Sequence, residues 1–160
     1  INKKTHIVVS KLPRNEDYLT NYDGYVVTTE HFDLANPVTK VDDIPDYEMY
    51  SQTIDSLNKR FGNRVLKGIE IGYIASEKDR IIDYLADKDY DLKLLSVHHN
   101  GQFDYLDDEV KDMDPAIVIP QYFAQLSEAL VVIEADVFAH FDYGFRVFGL
   151  SVAEFKQYEA

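Results

Sequence analysis

The sequence predicts an α/β fold built on parallel strands, and two observations lead to this expectation. Short apolar runs rich in Val, Ile and Leu alternate with segments of helical periodicity. Four of these runs each end on a side chain that can bind a metal ion. Because the carboxyl ends of parallel strands gather at one face of such folds, the four side chains should converge. They are His31, Glu70, His98 and His140.

The predicted strands follow one another at the spacing of repeated strand–helix units. They cover residues 7–9, 25–29, 65–69, 92–97 and 135–139. The segment 32–46 has no period and predicts a long loop, which beside a site often forms a lid or a wall.

Apolar side chains at helical spacing predict two long helices between the strands. The first covers residues 47–61, and Gly62 is expected to end it. The second falls within residues 115–132, and it should begin near Pro120, because proline is tolerated in a first turn. Ser151 is expected to cap a last short helix.

Composition predicts one domain over residues 1–160, and it excludes several function classes. The chain has 46% hydrophobic residues and no linker or internal repeat. A net charge of −13 argues against nucleic acid and anionic membranes as partners. We also expect no signal peptide and no apolar run near the ~20 residues of a membrane span. The absence of cysteine excludes thiolate sites and is compatible with a cytoplasmic protein, so nitrogen and oxygen must hold any metal.

The four residue types at the strand ends are suited to metal chemistry. Imidazoles bind zinc, iron or manganese, and a carboxylate can span two ions. Two ions about 3.5 to 4 Å apart could hold a hydroxide and bind phosphoryl oxygens, so no protein nucleophile is required. Glu70 lies between Ile69 and Ile71, and a buried carboxylate demands a cation or hydrogen-bond donors. A lysine or arginine partner is the alternative to a metal.

Four strings in the sequence together resemble the polymerase and histidinol phosphatase (PHP) family, and its histidinol-phosphatase branch in particular. In chain order they are Thr29-Glu30-His31, Gly68-Ile69-Glu70-Ile71-Gly72, Ser96-Val97-His98 and Ala139-His140-Phe141-Asp142. The likeness covers about residues 25–143. It implies a distorted barrel of parallel strands with helices outside, and two or three zinc, iron or manganese ions at the carboxyl ends of the strands.

The resemblance also implies roles for single residues. His31, His98 and His140 would be metal ligands, and Glu70 would bridge two metals. Glu70 and His98 would then be the catalytic residues. The implied reaction is hydrolysis of a small phosphorylated substrate from histidine biosynthesis, with metal-bound hydroxide as the nucleophile. Arg146 is the first candidate to bind the phosphate, because a guanidinium matches its oxygens.

Two motifs depart from the family pattern. The family opens with aspartate-x-histidine-x-histidine, whereas residues 4–8 keep only His6 as a possible ligand, with Lys4 and Val8 at the other positions. A later aspartate-x-histidine motif has no counterpart before Ala160. The resemblance therefore predicts an incomplete barrel, whose unpaired strand edges favour a homo-oligomer.

Three interpretations of function stay open. The first is a metal-dependent phosphomonoesterase. The second is a non-catalytic PHP-like module, or a fragment of a larger enzyme, with an incomplete metal site. The third is an α/β domain whose histidines are incidental.

His99 should point away from His98, because adjacent side chains of an extended strand face opposite ways.

Overall fold

The computed structural model describes residues 6–10 and 15–158, and its strands form one parallel sheet. Five strands lie side by side in the order of the sequence. They are β1 (His6–Ser10), β2 (Tyr25–Asp33), β3 (Val65–Gly72), β4 (Leu92–Ser96) and β5 (Val137–Phe138). The predicted α/β fold with parallel strands is confirmed. Within the described part β1 and β5 are the sheet edges, and the predicted incomplete barrel and self-association stay predictions.

Five α-helices connect or follow the strands in the described part of the chain. They are α1 (Asn15–Asn21), α2 (Tyr47–Phe61), α3 (Lys78–Leu85), α4 (Pro115–Val132) and α5 (Val152–Phe155). The predicted range of α2 is confirmed, and Gly62 ends it with a left-handed backbone, φ 75°. Ser151 caps α5 as expected, in a reciprocal pair of hydrogen bonds with Glu154.

The expected start of α4 is wrong. The helix begins at Pro115, where the missing N–H costs nothing, and the Asp114 side chain accepts a hydrogen bond from Ala116 N. Pro120 therefore lies inside the helix rather than in its first turn. With 18 residues, α4 also has the length and apolar composition of a membrane-spanning helix, contrary to expectation. Core helices share these properties, and five α4 side chains are buried: Val118, Ile119, Tyr122, Leu126 and Ala129.

Strand β2 is longer than predicted, which changes what the loop after it contains. It continues to Asp33, so the loop begins at Leu34. Backbone hydrogen bonds in both directions between Asp33 and Asp43, of 2.9 and 2.7 Å, tie the loop back to the strand end. The last residues of β2 thereby belong to the sheet and have fixed side-chain directions.

The register of the sheet brings the candidate residues to one face at the carboxyl end. His31 pairs with Glu70, and Gly72 pairs with Ser96. Paired residues in neighbouring strands point to the same side, and every second residue does so along a strand. The side chains of His31, Asp33 and Glu70 therefore share a face.

The opposite face of the sheet packs against the helices. Ile81 of α3 is fully buried, and the Tyr84 ring lies 4.2 Å from the Phe32 ring. Tyr50 of α2 is buried, and its hydroxyl lies 2.7 Å from the carbonyl oxygen of Thr28 and 3.0 Å from that of Gly68. This hydroxyl therefore joins α2 to the two strands that carry His31 and Glu70.

Replacing Tyr50 with phenylalanine should lower the free energy of unfolding by about 1 to 3 kcal/mol, because two buried carbonyl groups lose a donor. Urea denaturation measures this change. Tyr18→Phe is the matched control, since the Tyr18 side chain is exposed. A loss for Tyr50→Phe no larger than that of the control would contradict the prediction.

Candidate metal centre

Glu70 lies at the centre of the candidate site. Its side chain is buried, and its Oε1 lies 3.2 Å from His98 Nε2 and 3.0 Å from His140 Nε2. The Ser96 hydroxyl donates to the same oxygen over 3.1 Å, and His31 Nε2 lies 3.6 Å from Oε2. No lysine or arginine among the described residues forms an ion pair with Glu70. Imidazoles therefore surround this carboxylate, as they would surround it in a shared metal site.

Asp33 belongs to the same cluster, although the sequence did not point to it. Its Oδ1 lies 2.7 Å from His98 Nδ1, and its Oδ2 lies 3.2 Å from His31 Nδ1. The signal that could have found it is its position two residues after His31, on the same face of the same strand. The error came from ending the predicted strand at Thr29.

Gly72 makes room for the Asp33 carboxylate. A Cβ atom at this position would lie 1.8 Å from Asp33 Oδ1 and 3.3 Å from His98 Nδ1. No side chain fits there without displacing the carboxylate. The glycine at the end of β3 is therefore part of the site.

The donor set fits a divalent transition metal. His31, Glu70 and His98 each offer a ligand atom, and these atoms lie within 4.8 Å of one another. Two imidazole nitrogens and a carboxylate oxygen suit zinc, iron or manganese. His140 Nε2 can add a fourth donor from the rim, where its side chain is 43% exposed. The structure thus brings all four strand-end residues together, and their roles as ligands stay a prediction.

The carboxylates and imidazoles of the site shift one another's pKa values. The hydrogen bond to Asp33 raises the pKa of His31. Burial alone would lower the pKa of His98, but Asp33 and Glu70 outweigh it and raise this pKa to about 9. Burial would raise the pKa of Glu70, but its imidazole neighbours lower it to about 2. The charges of this buried cluster are therefore balanced by protons on the rings, or by a cation that replaces them.

His140 is held by its backbone in an unusual conformation. Its φ of 53° lies in the left-handed region, and its carbonyl accepts a hydrogen bond of 3.0 Å from the Tyr122 hydroxyl. A Cβ at Gly144 would lie 2.0 Å from the Tyr122 ring, so this glycine allows the close contact. Such backbone strain is concentrated at functional sites.

A cleft of about 290 Å³ opens beside the cluster. The loop after β2 forms one wall of this cleft through Asn36 and Asp43, as the sequence predicts. No lysine or arginine lines the cleft in the described part of the chain. Its lining residues are His31, Asp33, Asn36, Asp43, His98, Asp104, His140 and Tyr143.

The sequence also singled out Arg146 and His6 as candidates, and His99 as a residue that points away from His98. Arg146 donates two hydrogen bonds to Asp142, of 2.9 and 2.7 Å, and does not line the cleft, so its contact with phosphate stays a prediction. His6 pairs with Tyr25 through the backbone, while its side chain falls outside the described structure. His99 is buried, and its Nδ1 accepts a hydrogen bond from Gly101 N rather than contacting Glu70.

Comparison with solved structures finds this fold in a histidinol phosphate phosphatase from Lactococcus lactis, crystallised with zinc, L-histidinol and phosphate. The TM-score is 0.77 and the sequence identity is 21%. The match covers 89% of this chain and 60% of that chain, so this chain spans about 60% of that protein's length. No protein-family model and no curated protein matches the sequence. At this identity, the likeness establishes the fold.

Zinc binding at pH 7.5 should release about one proton or more per ion, because a pKa of about 9 keeps His98 protonated in the metal-free protein. Affinity should accordingly fall as the pH is lowered from 8 to 6. Calorimetric titrations in two buffers of different ionisation enthalpy measure the number of protons released. Zinc binding without proton release, at an affinity independent of pH, would contradict this prediction.

Proposed function

We propose that the protein is a metal-dependent phosphomonoesterase of the PHP family, related to the histidinol-phosphate phosphatases. One observation carries the proposal: His31, His98 and His140 converge on the buried carboxylate of Glu70 at the carboxyl end of a parallel sheet. The same fold occurs in a histidinol phosphate phosphatase that was crystallised with zinc, L-histidinol and phosphate.

The charge of the cleft supports a role for metal ions in binding phosphate. Asp33, Asp43 and Asp104 line the cleft, and no described lysine or arginine does. Such a cleft repels a phosphate dianion unless cations are added. Bound zinc, iron or manganese ions would supply that charge and would activate a water molecule as the nucleophile. We assign His31 and His140 as ligands, and Glu70 and His98 as ligands that also act in catalysis.

The acidic wall of the cleft favours a substrate that carries an ammonium group as well as a phosphate. Asp43 and Asp104 lie on this wall, and the Tyr143 hydroxyl lies 3.2 Å from Asp104 Oδ1. The Tyr143 ring lies 5.0 Å from the His98 ring and provides an aromatic surface beside the metal ligands. Histidinol phosphate has a primary amine, an imidazole and a phosphate, so it matches these features.

Arg146 remains the proposed cationic contact for the phosphate. Its guanidinium carbon lies 5.9 Å from the centroid of the Tyr143 ring, and Tyr143 lines the cleft. Its bidentate pair with Asp142 would have to open when substrate binds. Both side chains of that pair are about half exposed, so opening the pair costs little.

The alternative is a non-catalytic PHP-like module, or a fragment of a larger enzyme, with an incomplete metal site. The observation in its favour is that the structural match spans 60% of the neighbouring chain. Activity of the isolated 160-residue chain separates this alternative from the phosphatase.

The purified chain supplied with manganese or zinc should release phosphate from histidinol phosphate. Glu70→Gln should reduce kcat/KM by at least ~10–100-fold, which is the loss typical for a residue that only orients a metal ligand. Phosphate release and elemental analysis of bound metal are the measurements. Glu77→Gln is the control, since Glu77 pairs with Arg80 outside the cluster. A chain that binds no metal and hydrolyses nothing after metal addition would refute the proposal.

Replacing Asp104 with asparagine should raise KM for histidinol phosphate by about 10-fold, equivalent to about 1.4 kcal/mol, because the ammonium group loses a charged partner. KM for 4-nitrophenyl phosphate, which has no amine, should change little. Asp108→Asn on the exposed surface serves as the control. Equal changes in KM for both substrates would argue against an ammonium site at Asp104.

A further inference from the structure

We infer that Asp33 is a positioning residue that selects which nitrogen of two histidine ligands faces the metal. The inference rests on the proposed function, because it concerns the metal centre proposed there. A single carboxylate thus orients both histidine rings.

The two carboxylate oxygens of Asp33 are divided between the two rings. Oδ1 lies 2.7 Å from Nδ1 of His98, and Oδ2 lies 3.2 Å from Nδ1 of His31. The Nε2 atoms of the same rings face Glu70, at 3.2 and 3.6 Å. Each ring therefore has one nitrogen toward Asp33 and the other toward the candidate metal position.

This arrangement decides the tautomer of each ring. A neutral imidazole carries its hydrogen on one nitrogen and a lone pair on the other. A carboxylate beside Nδ1 keeps the hydrogen there, so the lone pair of Nε2 is free to bind a cation. The two rings face different oxygens of Asp33, and a side-chain amide would place an NH₂ donor in one of these two positions, so in this arrangement an ionised carboxyl group is needed to accept from both rings.

The position of the Asp33 carboxylate is fixed from three sides. The backbone of Asp33 bonds in both directions to Asp43. The rings of His31 and His98 are stacked, with centroids 5.7 Å apart and planes at 28°. Below the carboxylate, Gly72 has no Cβ atom, and one placed there would lie 1.8 Å from Oδ1. Asp33 can therefore hold both rings at a constant separation.

The test compares zinc affinity and ring tautomers in the wild type, Asp33→Asn and the control Asp108→Asn. Competition with a chromophoric zinc chelator should give an affinity about 10 to 100-fold weaker for Asp33→Asn. Asp108→Asn removes the same charge from the exposed surface, away from both rings, and should bind zinc as the wild type does.

Side-chain ¹⁵N NMR of the zinc-loaded proteins is the readout that a merely structural role would not change. In the wild type, His31 and His98 should both have a protonated Nδ1 and a zinc-bound Nε2. In Asp33→Asn, at least one ring should lose this state. The inference is overturned if Asp33→Asn keeps the wild-type affinity and tautomers, or if zinc binds Nδ1 in the wild type.

A second variant keeps the test decisive if Asp33→Asn fails to fold. Gly72→Ala leaves Asp33 in the chain but places a methyl group where its carboxylate lies, so it should weaken zinc binding and alter the same two rings. Wild-type affinity and tautomers in Gly72→Ala would then overturn the inference. If the wild type itself does not bind zinc, the proposed metal centre is refuted together with the inference. If the wild type binds zinc and both variants keep its affinity and tautomers, the inference alone is refuted.

Discussion

A buried carboxylate without a lysine or arginine partner is the constraint on which the rest of the described structure depends. Glu70 is 3% exposed, and a carboxylate in that position must be surrounded by donors or cations. Imidazoles provide this surrounding, and each comes from the carboxyl end of a different strand or from the residues after it. In the parallel sheet β2 and β4 lie on either side of β3, and β5 lies beside β4, so these ends meet at one edge. The order of the strands and the position of the site therefore both serve to surround the Glu70 carboxylate with imidazoles.

Small residues make the close contacts of the site possible. Gly72 leaves space for a carboxylate to lie across the end of β3, and Gly144 lets the Tyr122 ring approach the backbone after β5. The Tyr122 hydroxyl then bonds the carbonyl of His140, which has a positive φ. The placement of Asp33 and His140 thus depends on close packing against the backbone as well as on their own hydrogen bonds.

The sequence was sufficient to predict the parallel fold and the convergence of the four strand-end residues, because apolar runs of strand length each preceded a His or Glu. The limits of α2 were also predictable, since apolar spacing and Gly62 are local signals. Asp33 was missed because the polar residues after Thr29 ended the predicted strand there, whereas its pairing with β3 continues to Asp33. Pro120 was misplaced because the Asp114 cap starts α4 one turn earlier.

Fold similarity and site chemistry contribute separately to the functional proposal. A neighbour at 21% identity establishes the sheet and its helices, whereas the donor atoms around Glu70 indicate what the site can bind. Diffraction from zinc-soaked crystals, measured at the zinc absorption edge, tests the central claim most directly. We expect an anomalous peak within bonding distance of Glu70 and of Nε2 of His31 and His98. A difference map with no anomalous peak at this position, from crystals with zinc bound elsewhere, would contradict the account.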